Sequence, residues 1–370
     1  MEKLKLCHIS LGLYPDSRDG SAKFARGVYD ELKRRGHDIT MLTGIWNEGF
    51  DDPNIIPLSI PQARFFWAPK FLLKFRSYIK SHQFDLIHTN GSRGSLPVLF
   101  SKTPFITNIH DLGPFEANFT KIPVLKWLER RNAQKAARII TCSSIIHEGI
   151  ERFMGAERSK MRNVWSAIDP RFQPEKKAGQ QLKEKMGLKG PTLFYVGRIA
   201  FYKGIDHIIE AYYRVKKEIP DLNLVIGGKP ELKLIETYQQ WKTQYPEIRF
   251  VGMIPDEEMP IYYSMADAFI TYSYASEGFG LTPVEAIACG TPVICSTMPA
   301  YREVLEDHAI FVEPQNPVKL AETISQFFHQ QDLNHEKIKK AQEFIKRYSW
   351  TSVVDQIETI YQDFLQNYGK

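Results

Sequence analysis

One stretch constrains this chain more than any other: Asp267 to Ser296, DAFITYSYASEGFGLTPVEAIACGTPVICS. It reads as a strand, a glycine loop, a short helix and a second strand. Asp267 to Ser273 is apolar and β-prone, which suits a buried parallel strand. Gly278 and Gly280 carry no Cβ and let a ligand come close to the backbone. Thr282 suits the N-cap, Pro283 the first helical position, and Gly290 a left-handed helix end. A helix N-terminus behind glycines can hold a phosphate against open N–H groups. Glu277 and Glu285 bracket this loop, and two readings of them stand side by side. Thr282-Pro283-Val284-Glu285 matches a capping box, with Glu285 bonded to the helix start and Glu277 a solvated loop acid. Alternatively, both carboxylates flank a bound ligand.

A length of 370 residues predicts two domains. The composition, 43% hydrophobic and 25% charged, is that of a globular protein, and a net charge of +5 gives no sign of a nucleic-acid partner. Basic residues concentrate between Ile60 and Ile140, where 13 Lys and Arg face 4 Asp and Glu. Cys7, Cys142, Cys289 and Cys295 lie in or beside apolar segments with no C-x-x-C pair. That predicts reduced, buried thiols in a cytosolic protein. The opening MEKLKLCHIS lacks the apolar core of a signal peptide, and no run reaches the ~18 apolar residues of a membrane span. The expected location is cytoplasmic, soluble or peripheral on the inner face of the cell membrane.

Lys5 to Ser10 reads as a strand, followed by a loop through Gly20, a helix from about Ser21 to Arg35, and a strand from Asp38 to Thr43. This is the opening unit of a doubly wound α/β domain, without a G-x-G-x-x-G fingerprint. Further strands at Asp85–Thr89, Pro104–Ile109 and Ile139–Ser143 bring His88 and His110 to strand ends, where ligands collect in open sheets. A hydrogen-bonded structural role is the other reading of each histidine. In the second half, Thr192 to Gly197 reads as a strand, followed by Arg198, Lys203-Gly204 and an amphipathic helix from about Asp206 to Glu218. A forked guanidinium and a compact ammonium past a strand end suit a diphosphate; solvated surface cations are the alternative. Pro170, Pro174 and the Lys/Gly/Gln-rich stretch beyond them read as an exposed linker.

Glu277-Gly278-Phe279-Gly280-Leu281, followed by Glu285-Ala286 and Gly290-Thr291-Pro292-Val293, resembles the donor-site motif of retaining glycosyltransferases of the GT-B fold, the large family 4. The resemblance implies two Rossmann-like doubly wound domains facing each other across a cleft. Residues 1–170 would form the acceptor side and 171–348 the nucleotide-sugar domain, with a terminal helix of about 349–370 returning onto the first. It implies donor binding by Glu285, Gly278, Phe279, Gly280, Leu281 and Thr282, with Gly20 of the first loop beside the donor phosphates and Glu277 on the sugar hydroxyls. GRIAFYKG resembles the segment whose Arg and Lys, here Arg198 and Lys203, neutralise the departing nucleotide diphosphate. NIHDLGP resembles the strand-end segment whose His, here His110, reaches the donor sugar. Two positions depart from the family pattern. Ser21 follows Gly20 where a second glycine is usual, and Ala167 stands where a glycine precedes the linker.

The expected reaction moves a sugar from a nucleotide-diphosphate sugar to a hydroxyl of a glycan or lipid-linked acceptor, with retention and without a metal or other cofactor. A nucleotide-sugar epimerase, a phosphorylase and an inert nucleotide-sugar-binding protein are the rival readings. Residues 64–82, RFFWAPKFLLKFRSYIKSH, interleave aromatic and basic side chains, with Phe71, Leu72, Phe75 and Ile79 at helical spacing. That pattern predicts salt-sensitive attachment to an anionic membrane surface, against the alternative of a core helix with a solvated basic back.

Overall fold

Short apolar runs bounded by glycine, proline and polar residues form the strands of two parallel sheets. The computed structural model describes residues 2–17, 19–45, 49–59, 67–115, 123–275, 277–330 and 334–368. Its contacts divide the chain into one unit of Met1–Ala167 with Trp350–Lys370 and a second of Ile168–Ser349.

In the first unit, β1 (Lys5–Ser10), β2 (Asp38–Ile45), β3 (Ile55–Ser59), β4 (Leu86–Asn90), β5 (Ile106–Ile109), β6 (Arg138–Thr141) and β7 (Met161–Asn163) lie in the order β3-β2-β1-β4-β5-β6-β7. β1 is paired in parallel on both sides, with Ser10 opposite Thr43 of β2 and Asn90 of β4. The strand order therefore reverses between β1 and β4. Connections leaving these two strands diverge and open a crevice beyond their carboxyl ends.

The second unit repeats the plan. β8 (Thr192–Val196), β9 (Asn223–Gly227), β10 (Arg249–Gly252), β11 (Ala268–Thr271), β12 (Val293–Ser296) and β13 (Ile310–Val312) lie in the order β10-β9-β8-β11-β12-β13. Here the reversal falls between β8 and β11. Every residue of both strands is buried, as expected for parallel strands covered on two faces.

Helices fill the layers outside the sheets. The terminal helix Trp350–Tyr368 buries Val353, Val354, Ile357, Ile360, Tyr361 and Phe364 in the first unit's core. It packs beside the helix Gly20–Arg34, where Gly27 is required: a Cβ there would lie 2.0 Å from the Trp350 ring. Arg35 ties the two helices through Asp355 (2.7 Å) and Glu358 (2.6 Å).

Several details depart from expectation. The stretch after Pro174, expected as an exposed linker, is largely exposed but forms a helix, Lys176–Lys185. Gly179 is its contact point, since a Cβ would come within 2.7 Å of the Ser264 backbone. β3 was not anticipated, because Pro57 breaks the strand pattern; it is tolerated on an edge strand. In the helix Trp67–Ser81, Phe71 and Phe75 are fully buried in the core, so this face of the helix turns inward. Lys70, Leu73, Lys74 and Lys80 are exposed. Arg64, Phe65 and Phe66 of that motif lie outside the described residues. All four cysteines are buried thiols. Among the described residues no helix is long and apolar enough to cross a membrane.

Candidate functional site

The loops leaving β8 and β11, the two strands at the order reversal, carry the acidic and basic residues singled out in the second unit. After β8, Arg198 leads into a single 3-10 turn, Phe201–Lys203, closed by Gly204 at φ +63°. A Cβ on Gly204 would lie 2.6 Å from the Tyr272 carbonyl oxygen, so this turn packs directly against the end of β11. That approach brings the Lys203 ammonium onto Oε1 of Glu277. Ser273 Oγ also donates to that oxygen at 2.6 Å, and Tyr301 Oη at 3.0 Å. The Lys203 and Glu277 side chains are only 16% and 10% exposed, so the pair is largely withdrawn from solvent. Burial and the neighbouring Glu277 carboxylate push the Tyr301 phenol well above its ordinary value, which keeps it a donor.

Arg198 is held differently. Its side chain is 61% exposed, with one arm donating to the Tyr202 hydroxyl and Nε 3.3 Å from Glu231. It keeps donors turned toward solvent at the mouth of the loop, whereas Lys203 is paired with Glu277 and 16% exposed.

The helix after the glycine loop begins two residues earlier than expected, spanning Leu281–Ala288 with Gly280 as its N-cap. Thr282 is thus the second helical residue and not the cap, and Pro283 is the third. Gly280 has φ +83°, and a Cβ there would lie 2.5 Å from the Tyr301 ring, so only glycine fits. Among the described residues no side chain caps this helix start. The first N–H groups, on Leu281 and Thr282, carry the positive end of the helix dipole. The far end closes in a Schellman arrangement, with Gly290 N–H bonded to Ile287 O at 2.9 Å and Thr291 N–H to Ala286 O at 2.9 Å.

Glu285 lies too far along the helix for a capping box. Its Oε2 accepts from Tyr263 Oη at 2.7 Å, and burial together with this carboxylate raises the Tyr263 phenol well above normal. Thr291 Oγ1 in turn donates to the Tyr263 backbone carbonyl at 2.7 Å, so Tyr263 is held at its main chain as well as at its hydroxyl. Phe279 turns its ring into the unit against Tyr348, at 5.2 Å between centroids, and leaves only its backbone to the loop. Gly278 lies between Glu277 and Phe279 in the same loop.

His110 and Gly20 belong to the first unit. His110 follows β5, with Nε2 2.8 Å from Asn90 Oδ1 and its ring edge-on to Phe24. Burial lowers its pKa, partly offset by Asp111 and Asp19. Gly20 is the first helical residue after β1, and Asp19 caps this helix by accepting from Ala22 N–H at 3.0 Å. The carboxylate already occupies the place where a phosphate would bind. The two helix starts therefore differ: Asp19 fills the first, and among the described residues no side chain fills the one after Gly280.

Sequence reasoning did not single out Ser273, Tyr301, Tyr202 or Tyr263, which hold the charged groups. Ser273 could have been found, four residues before Glu277 at a strand end. The tyrosines come from distant elements and carry no local signal.

Two family models match this chain: Glycosyltransferase Family 4 over residues 18–172 and Glycosyl transferases group 1 over residues 178–344. An uncharacterized glycosyltransferase of Methanocaldococcus jannaschii is 22% identical over 99% of this chain and 100% of that protein. The alpha-monoglucosyldiacylglycerol synthase of Streptococcus pneumoniae is 28% identical over 80% of this chain and 73% of that protein. The structure of Anabaena HepE in complex with UDP and glucose superposes with a TM-score of 0.80 at 17% identity, covering 97% of this chain and 100% of that one. With its two doubly wound units and its paired glutamates at the second order reversal, the chain belongs to the group 1 glycosyltransferases of the GT-B fold.

Proposed function

We propose that this glycosyltransferase moves a hexose from a nucleotide-diphosphate sugar to an acceptor hydroxyl, with retention, in the synthesis of a cell-surface polysaccharide or glycolipid. The observation that carries this reading is the uncapped start of the helix Leu281–Ala288 beside the Lys203–Glu277 pair, at the order reversal of the second sheet. Breaking a glycosyl–phosphate bond leaves negative charge on the diphosphate and positive charge on the sugar ring. Arg198, Lys203 and the amides after Gly280 stabilise the diphosphate with no metal, and the Gly278–Thr282 backbone lines its path. Glu285 accepts from the ribose hydroxyls and Glu277 from the sugar hydroxyls, and His110 is kept as a proposed sugar-contact residue. The nucleotide and sugar classes draw support from HepE, solved with UDP-glucose, and the lipid-linked acceptor from the glucosyldiacylglycerol synthase.

The acceptor class also bears on location. Lys70, Lys74 and Lys80 are exposed on one helix of the first unit, together with Leu73 at 65% exposure, while Val124 and Trp127 are exposed on another. Basic residues interleaved with exposed apolar ones suit peripheral attachment to an anionic leaflet, through the outer face and not through Phe71 and Phe75.

The test is nucleotide diphosphate release from a panel of nucleotide sugars, with and without lipid and glycan extracts. Release that depends on acceptor, with the new linkage keeping the donor's anomeric configuration, is expected. Donor binding without release, or a free sugar inverted at C2, would contradict the proposal.

A further inference from the structure

A line of buried polar side chains runs through the first unit from the terminal helix to His110. Tyr361 Oη lies 2.8 Å from His8 Nε2 and 2.7 Å from His88 Nδ1. His88 Nε2 is 3.1 Å from Asn108 Oδ1, and Asn108 Nδ2 is 3.3 Å from Asn90 Oδ1. Asn90 Oδ1 also meets His110 Nε2 at 2.8 Å. A small cavity lined by His8, Ser10, His88, Asn90 and Asn108 lies along this line.

The proton order along it follows from one group that can only accept. Asn90 Nδ2 is 3.1 Å from the Ser21 carbonyl oxygen and 3.1 Å from Ser10 Oγ. Flipping the amide would set two carbonyl oxygens against each other, so Nδ2 faces Ser21 and Oδ1 faces His110. Oδ1 then accepts from both His110 Nε2–H and Asn108 Nδ2–H. Asn108 Oδ1 accepts from His88 Nε2–H, which leaves His88 Nδ1 to accept from the Tyr361 hydroxyl. His8 Nε2–H completes the line by donating to Tyr361. Burial holds His88 down to about 4 and lowers His8 well below normal, so both rings are neutral near pH 7 and each has one donor and one acceptor nitrogen.

We propose that Asn90 is a positioning residue that holds His110 in its Nε2-protonated tautomer, so that Nδ1 is the acceptor presented to a substrate hydroxyl. The assignment rests on the transferase reading for what His110 touches, but the tautomer itself does not. Charged and titratable groups facing His110 are Asp111 beside it, Asp19 at the start of the neighbouring helix, and His88. Cys142 Sγ donates to the His110 backbone carbonyl at 3.2 Å.

The experiment is long-range proton–nitrogen NMR of the histidine rings in the full chain without ligand, across pH, for wild type, Asn90→Asp and Asn90→Leu. Wild type is expected to show His110 and His88 protonated at Nε2. A carboxylate at position 90 should raise the His110 titration midpoint by about one to three pH units. Asn90→Leu should give His110 a mixture of tautomers. A wild-type His110 protonated at Nδ1 would overturn the proposal, as would an unmoved midpoint in Asn90→Asp. Asn90→Leu keeps the test available should Asn90→Asp not fold. None of these readings needs donor or acceptor, so their failure is distinct from failure of nucleotide release.

Discussion

Glu277 gathers a lysine, a serine and a tyrosine on a single carboxylate oxygen, and Lys203 is the only charged member of that set of donors. Removing the ammonium leaves a mostly buried carboxylate with neutral partners alone. Lys203→Met should therefore destabilise by about 3 kcal/mol and lower turnover by roughly two orders of magnitude. Adding Glu277→Gln removes the stranded charge, so the double variant should regain melting temperature but not turnover. Thermal denaturation and nucleotide release check this; recovery of both would make the pair purely structural. At this scale the sequence displayed the charged residues through their spacing around glycines. It did not display their holders, because Tyr301 and Tyr263 reach the acids only through the fold. Nor did it exclude the capping-box reading of Glu285, which needed the true helix start at Leu281.

Elements were most legible where their residues face inward on both sides. β8 and β11 are buried throughout, and their mostly apolar, β-prone runs read as strands. β3 hid behind Pro57, and the helix Lys176–Lys185 behind a glycine whose purpose is a close approach to Ser264. The helix Trp67–Ser81 shows the limit of periodicity, which marks an apolar face without saying what covers it. Phe71 and Phe75 are in the core, so the proposed membrane contact would have to use the outer face. Reversing Lys70, Lys74 and Lys80 to Glu should abolish co-sedimentation with anionic vesicles at low salt and leave folding intact. Each removed cation should cost about 1 kcal/mol of binding. Unchanged sedimentation would assign the basic face to solvent.

At the level of the whole molecule, the two sheets share one topology but differ in their buried polar content. His8, His88 and His110 all lie in the first unit with pKa values lowered by burial, to about 4 for His88. A histidine of ordinary pKa in the unfolded chain, about 6.5, binds a proton there before it does so in the fold. Stability from these groups is complete above about pH 6.5 and is lost as pH falls toward 4. The urea midpoint of the first unit should drop between pH 7 and pH 4.5, and a flat profile would mean that the rings are not held neutral. Such a network was invisible in the sequence, where the histidines lie far apart and Tyr361 sits near the end of the chain.

The central claim, that the second unit holds a nucleoside diphosphate at the uncapped helix start, is tested most directly by calorimetric titration of UDP, ADP and GDP. Wild type, Arg198→Ala and Glu285→Gln are compared at matched salt. Arg198 and Glu285 grip opposite ends of the nucleotide in this account, so each variant should bind the preferred diphosphate at least about tenfold more weakly, with melting temperature retained. Wild-type affinity in both variants, or a loss of affinity accompanied by loss of folding, would contradict it.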